Sequence, residues 1–213
     1  MLLASSCKKE ENNPDAIKDG DGNVYTSITV GTQIWLVENL KTTKYNDGGS
    51  IPLVIDDPAW ENLATPGYCW YENNETSNKS TYGALYNWYA VTTGKLCPTG
   101  WHVPTDDEWT TLITQLGGEA EASGKLREAG TAHWNSPNTD ADNSSKFTAL
   151  PGGFRQLSGN YVNKGEFGVW WSATEDNLSS DSAWERYLVY DYNNAYRGSD
   201  LKNLGFSVRC IKN

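Results

Sequence analysis

Apolar and polar positions along this chain change their period from strand-like to helical and back. Val24-Tyr25-Thr26-Ser27-Ile28-Thr29-Val30 is rich in β-branched residues, and Gly31-Thr32 parts it from Gln33-Ile34-Trp35-Leu36-Val37, which predicts a hairpin. Before it, Asp19-Gly20-Asp21-Gly22-Asn23 reads as a turn; it lacks the later acidic ligand that an EF-hand calcium loop needs. From about Lys41 to Ser80 no period shows, and Asn, Asp, Gly and Pro are frequent, so surface loops are expected. Tyr82, Leu85, Tyr86 and Tyr89 stand at i, i+3, i+4 and i+7, which predicts a helix.

A stronger helix follows. Thr105-Asp106-Asp107-Glu108 forms a capping box, with Thr105 as N-cap and Glu108 reaching back. Trp109, Leu112, Ile113 and Leu116 then share one face, and Gly117-Gly118 stops the run. A short helix is expected from Glu119 to Ala129. Beyond Gly130 the chain alternates loops with short strands, at Phe167 to Ala173, Ala183 to Asp191 and Leu204 to Ile211. The polar segment Tyr192 to Asn203 separates the last two. Strands, then helices, then strands predict an α+β fold with a mainly antiparallel sheet.

Composition narrows the function classes. The 213 residues include 10 Trp and 12 Tyr against 4 Phe and 1 Met, although only 38% are hydrophobic. Side chains with an apolar body and a polar tip predict a hydrogen-bonded core and a surface able to stack on ligands. The net charge of −10 argues against nucleic acid, whose phosphates need a basic face. No apolar run reaches the length of a membrane span, so membrane attachment is expected only through lipid.

The lipid has a candidate acceptor. Ala4-Ser5-Ser6-Cys7 resembles a lipobox, behind which a peptidase would leave Cys7 to take a diacylglycerol. The basic start of such a leader is missing, so the true start is expected upstream. Lys8-Lys9-Glu10-Glu11 resembles the charged tag of surface-exported lipoproteins in Bacteroides-like bacteria. The expectation is an outer-membrane, surface-exposed lipoprotein, with residues 1–15 as signal remnant and tether and residues 16–213 as one domain. Of the remaining Cys69, Cys97 and Cys210, at most one pair can bridge.

Catalytic signals are sparse. His102 lies between Trp101 and Val103 and reads as a buried, hydrogen-bonded structural residue. His133 has no Ser or Cys nearby in a nucleophile setting. No GxSxG, HExxH or phosphate loop is present, and no enzyme activity is expected, although a carboxylate pair acting on polysaccharide is the alternative. Asn138, Asp140 and Asp142 offer closely spaced oxygens to Ca2+, or serve an ordinary polar loop. No other cofactor is expected. In the C-terminal hairpin, strand alternation puts Trp184, Arg186, Leu188 and Tyr190 on one face and Glu185, Tyr187, Val189 and Asp191 on the other; one face must be core.

Several runs occur in the order of a known family: Ile34-Trp35-Leu36-Val37-Glu38-Asn39-Leu40, Tyr82-Gly83-Ala84-Leu85-Tyr86-Asn87-Trp88 and Cys97-Pro98-Thr99-Gly100-Trp101-His102-Val103-Pro104-Thr105. Ala149-Leu150-Pro151-Gly152-Gly153, Trp170-Trp171-Ser172-Ala173-Thr174-Glu175 and Gly205-Phe206-Ser207-Val208-Arg209-Cys210 follow. The chain resembles the Fibrobacter succinogenes major paralogous domain from about Ile17 onward. That family looks distantly similar to the C-type-lectin-like fold of the formylglycine-generating enzymes, whose first and last strands meet. Those enzymes act through paired cysteines, whereas Cys210 stands alone in the last strand, so their chemistry is not expected here. The last strand of that fold packs centrally, which implies a Cys97–Cys210 bridge with Cys69 free. The resemblance also implies a recognition surface near the C-terminal hairpin, with Tyr190, Tyr192, Asn194, Tyr196 and Arg197 as contacts. The expected function is binding of a glycan or a protein ligand at the cell surface. The alternatives are a structural or adhesive subunit and a retroelement-diversified binder.

Overall fold

The computed structural model describes residues 16–213. The chain opens with β1 (Ile17–Lys18) and β2 (Val24–Tyr25), an antiparallel pair closed by the Asp19–Asn23 turn. The Asp19 carboxylate accepts from the backbone N–H groups of Asp21 and Asn23 and from the Tyr25 hydroxyl at 2.6 Å, so the aspartate organises a turn. The predicted hairpin is β3 (Ser27–Val30) with β4 (Gln33–Leu36), turned at Gly31 with φ +61°.

The stretch expected to be loops holds more structure. It carries α1 (Asp57–Glu61), β5 (Tyr68–Cys69), a 3-10 turn at Tyr71–Asn73 and α2 (Glu75–Tyr82). Asp56 and Asn74 cap the two helices by accepting from Ala59 and Ser77 backbone N–H groups. These helices are too short and polar to announce themselves by period. The helix predicted from Tyr82 does not form. Gly83, at φ +77°, ends α2, and β6 (Leu85–Tyr86) pairs with β5 instead. A Cβ on Gly83 would sit 2.5 Å from the Leu40 carbonyl oxygen. Asn87 then caps α3 (Trp88–Val91), so the helical spacing of Tyr82, Leu85, Tyr86 and Tyr89 spans three elements.

The stronger helix is as expected. After β7 (Trp101–His102), α4 (Asp106–Gln115) begins with both halves of the Thr105–Glu108 capping box, and α5 (Glu119–Leu126) follows the two glycines. The small pair β8 (Phe154–Arg155) and β9 (Tyr161–Val162) leads into β10 (Phe167–Glu175), β11 (Ser182–Val189), β12 (Tyr196–Leu201) and β13 (Ile211–Lys212). Two corrections fall here. Part of the polar segment before Asn203 is a strand, β12, whereas Leu204 to Ile211 is extended largely through isolated bridges, with regular pairing only at its end. The fold is α+β, with small antiparallel sheets ordered β3-β4-β13-β7 and β10-β11-β12.

Ile211 pairs with Trp35 on one side and His102 on the other, so the end of the chain lies between its early strand and β7. Cys97 and Cys210 are bonded across a sequence separation of 113, and Cys69 is free and buried. The core beside this sheet is aromatic: Trp35 and Trp109 have ring centroids 4.8 Å apart, and Phe147 packs against both. Two of its indoles are hydrogen-bonded, Trp170 to Asn39 Oδ1 and Trp134 to the Ala149 carbonyl, whereas the buried Trp109 Nε1 has no partner among the described residues. The fully buried Arg209 donates to Asn39 Oδ1 and to the Leu36 and Phe147 carbonyls, which joins the sheet to the 147 loop.

Candidate functional site

The sheet β10-β11-β12 has two unlike faces because neighbours along each strand point in opposite directions. On the face toward α4, Arg186 and Arg197 are direct partners across β11 and β12. Two cations so placed repel unless an anion lies between them. Asp106, in the first turn of α4, supplies it: its carboxylate is 2.6 Å from Arg186 Nη1 and 2.8 Å from Arg197 Nη2. The Arg197 guanidinium also lies 3.3 Å from the centre of the Trp184 ring. Arg186 is buried, and both arginines are committed to holding the sheet against the helix.

The other face carries an aromatic ladder, one ring per strand. Phe167 stacks on Tyr187 with centroids 6.1 Å apart and planes 20° from parallel; Tyr187 stacks on Tyr196 at 4.8 Å and 12°. Beside these rings lies a cavity of about 330 Å³, walled by Phe154 and Phe206 and lined by Glu185 and Asp200. Among the described residues that line it, none is basic. Its depth depends on Gly198, the register partner of Glu185; a Cβ there would meet Glu185 Oε1 at 2.1 Å.

Glu185 is the unusual member. Only 2% of it is exposed, and among the described residues its Oε2 has no hydrogen-bond partner. Burial, with a smaller contribution from the nearby Asp200 charge, pushes its carboxyl up to about 8. Asp200, exposed at the groove's rim, is raised above the ordinary carboxylate value by partial desolvation. The groove thus offers an acid that holds its proton more tightly than an ordinary carboxyl, and a second carboxyl, beside aromatic side chains.

The five residues expected as contacts do not form one surface. Tyr190 is half-buried against the aromatic core, and Tyr192 and Asn194 are exposed in the turn before β12. Tyr196 belongs to the ladder, but its neighbour Arg197 faces the opposite way toward Asp106. Glu185, Phe167 and Gly198 were not expected as site residues. The alternation along β11 separated Glu185 and Tyr187 from Trp184 and Arg186, but it could not say which face was core.

The calcium candidates are spread along a loop. Asn138 is buried and donates to the Glu128 and Gly130 carbonyls, Asp140 is exposed, and Asp142 Oδ1 accepts from the Ser144 N–H. Among the described residues, no group of three or more His, Cys, Asp and Glu side chains could hold a metal ion. His102 is half-buried, where full burial was expected. Its ring nitrogens lie 2.9 Å from Glu108 Oε1 and 2.7 Å from Asn213 Oδ1, which ties β7 to α4 and the C-terminus. Partial burial pushes the Glu108 carboxyl up, but hydrogen bonds from Thr105 and His102 outweigh it and hold it below its ordinary value. His133 lies 2.8 Å from Glu128, outside the groove. Cys7 and its leader lie outside the described residues. Among the described residues no helix is long and apolar enough to cross a membrane.

The family model described as Fibrobacter succinogenes major domain matches residues 28–212, and the chain belongs to that family. Comparisons with curated proteins and with solved structures give no match.

Proposed function

We propose that this chain is the ligand-binding domain of an outer-membrane, surface-exposed lipoprotein, and that it takes a carbohydrate in the groove of its three-stranded sheet. One observation carries the reading: an aromatic ladder, Phe167–Tyr187–Tyr196, stands beside a cavity that contains an unpartnered acid group. A sugar ring has an apolar face that packs against the aromatic side chains lining the cavity, Phe154, Tyr187 and Phe206, and a rim of hydroxyls that satisfies carboxyl oxygens. The cavity, at about 330 Å³, is near the lower end of the range for small-molecule sites. Attachment through lipid at Cys7 and the C-type-lectin-like kinship belong to the same proposal.

A glycan array probed with the soluble domain, with and without chelator, tests the binding. A set of related saccharides retained by the domain and lost on Tyr187→Ala is the expected result. Self-association with no saccharide retained would instead favour the structural or adhesive subunit. The raised pKa of Glu185 beside Asp200 gives one specific reason to assay hydrolysis too, since glycosidases pair a protonated acid with a second carboxyl. Release of new reducing ends from an array-positive glycan would turn the binder into an enzyme.

A further inference from the structure

We infer that the groove recognises a protonated amino sugar, its ammonium seated between Glu185 and Asp200 and its ring against the side chains of Phe154, Tyr187 and Phe206. This rests on the carbohydrate reading above and adds the charge of the ligand. Glu185 lies on β11 and Asp200 on β12, two positions beyond the register partner of Glu185 and on the same face. No basic side chain lines the cavity among the described residues, so both acids lack a cation there. Four of the seven remaining lining residues are aromatic, and aromatic rings attract cations within about 6 Å. A neutral or N-acetylated sugar would satisfy carboxyl oxygens through its hydroxyls but would leave the acid pair without a counter-charge. The net charge of −10 draws a cationic ligand toward the molecule.

Binding then exchanges charge in a defined way. The incoming ammonium stabilises the ionised form of Glu185, which gives its proton to the buffer, and the ammonium–carboxylate contact replaces the buried acid. The titratable groups that line the groove with Glu185 are Asp200 from β12 and Tyr187 from β11. Arg186 is on the opposite face, committed to Asp106.

The test is a calorimetric and NMR titration of the whole domain at neutral pH and low salt with three probes: the disaccharide of glucosamine, its N,N′-diacetyl form and cellobiose. The glucosamine disaccharide is expected to bind at least about tenfold more tightly than the other two, a difference of about 1.4 kcal/mol. It should shift amides of β10, β11 and β12. Heats in buffers of unlike ionisation enthalpy should show proton release that Glu185→Gln abolishes, and Asp200→Asn should erase the preference for the amine. Equal binding of all three sugars would overturn the inference and leave the carbohydrate reading standing. No shift with any sugar would overturn both. A lysine side chain supplied as its N-acetyl methylamide, binding as well as the disaccharide, would overturn the sugar assignment.

Discussion

The Glu185 carboxyl occupies the space that a side chain on its register partner Gly198 would need, since a Cβ there would come within 2.1 Å of Oε1. Gly198 does not have positive φ. Its lack of a side chain therefore serves the carboxyl, and an acid is housed in the sheet without a protein partner for Oε2. Such an arrangement costs stability, and stability retained against that cost is measurable.

The first expectation concerns pH. The Glu185 carboxyl is raised in the folded state, from 4.5 to about 8, chiefly by burial and then by Asp200. The folded protein thus binds this proton more tightly than the unfolded chain. Its contribution is fully present below about pH 4.5 and is lost as pH rises toward 8. Glu185→Gln should match the parent in urea melts at the acid end and exceed it at the alkaline end. The gap has a limit of about 5 kcal/mol, reduced by relaxation of the site. Parallel stability curves for the two proteins would show that Glu185 ionises freely in the fold.

Asp106 should matter more than its partly exposed partner Arg197 suggests. Asp106→Asn leaves Arg186 buried beside Arg197 without its anion, and a loss of about 3–5 kcal/mol is expected. Arg197→Ala removes a partly exposed head and its stack on Trp184, for about 1 kcal/mol. Equilibrium denaturation of the two variants checks the ranking.

Reduction should weaken the protein through one bond. The Cys97–Cys210 link closes a loop of more than a hundred residues, and its loss is expected to cost about 3–5 kcal/mol. A reductant should lower the melting temperature of the parent and of Cys69→Ala alike, and leave Cys97→Ala/Cys210→Ala unmoved. A response that disappears in Cys69→Ala would mean a different pairing in solution.

Two tyrosines separate the groove from the turn. Tyr187→Ala removes the ladder ring that lines the cavity and should weaken saccharide binding by about 1–3 kcal/mol. Tyr192, exposed in the turn, should be replaceable by Ala with no change in affinity. The reverse ranking in a titration would move the site from the sheet to the turn.

What the sequence determined by itself was the local grammar and the family. The α4 start was legible because Thr105 and Glu108 act within one turn, and the hairpin at Gly31 because its signals are equally local. Six ordered motifs carried the family membership, and through the family's fold came the Cys97–Cys210 bridge. Tertiary structure decided what depends on distant partners. Leu85 and Tyr86 share a helical spacing with Tyr82, but Gly83 packs against Leu40 and the pair becomes a strand. Tyr196 and Arg197 are adjacent in sequence, yet β12 turns one to the aromatic ladder and the other to Asp106. Strand alternation separates the faces of β11 from sequence alone. Only the helix packed on one side of the sheet decides that Glu185, and not Arg186, faces the groove.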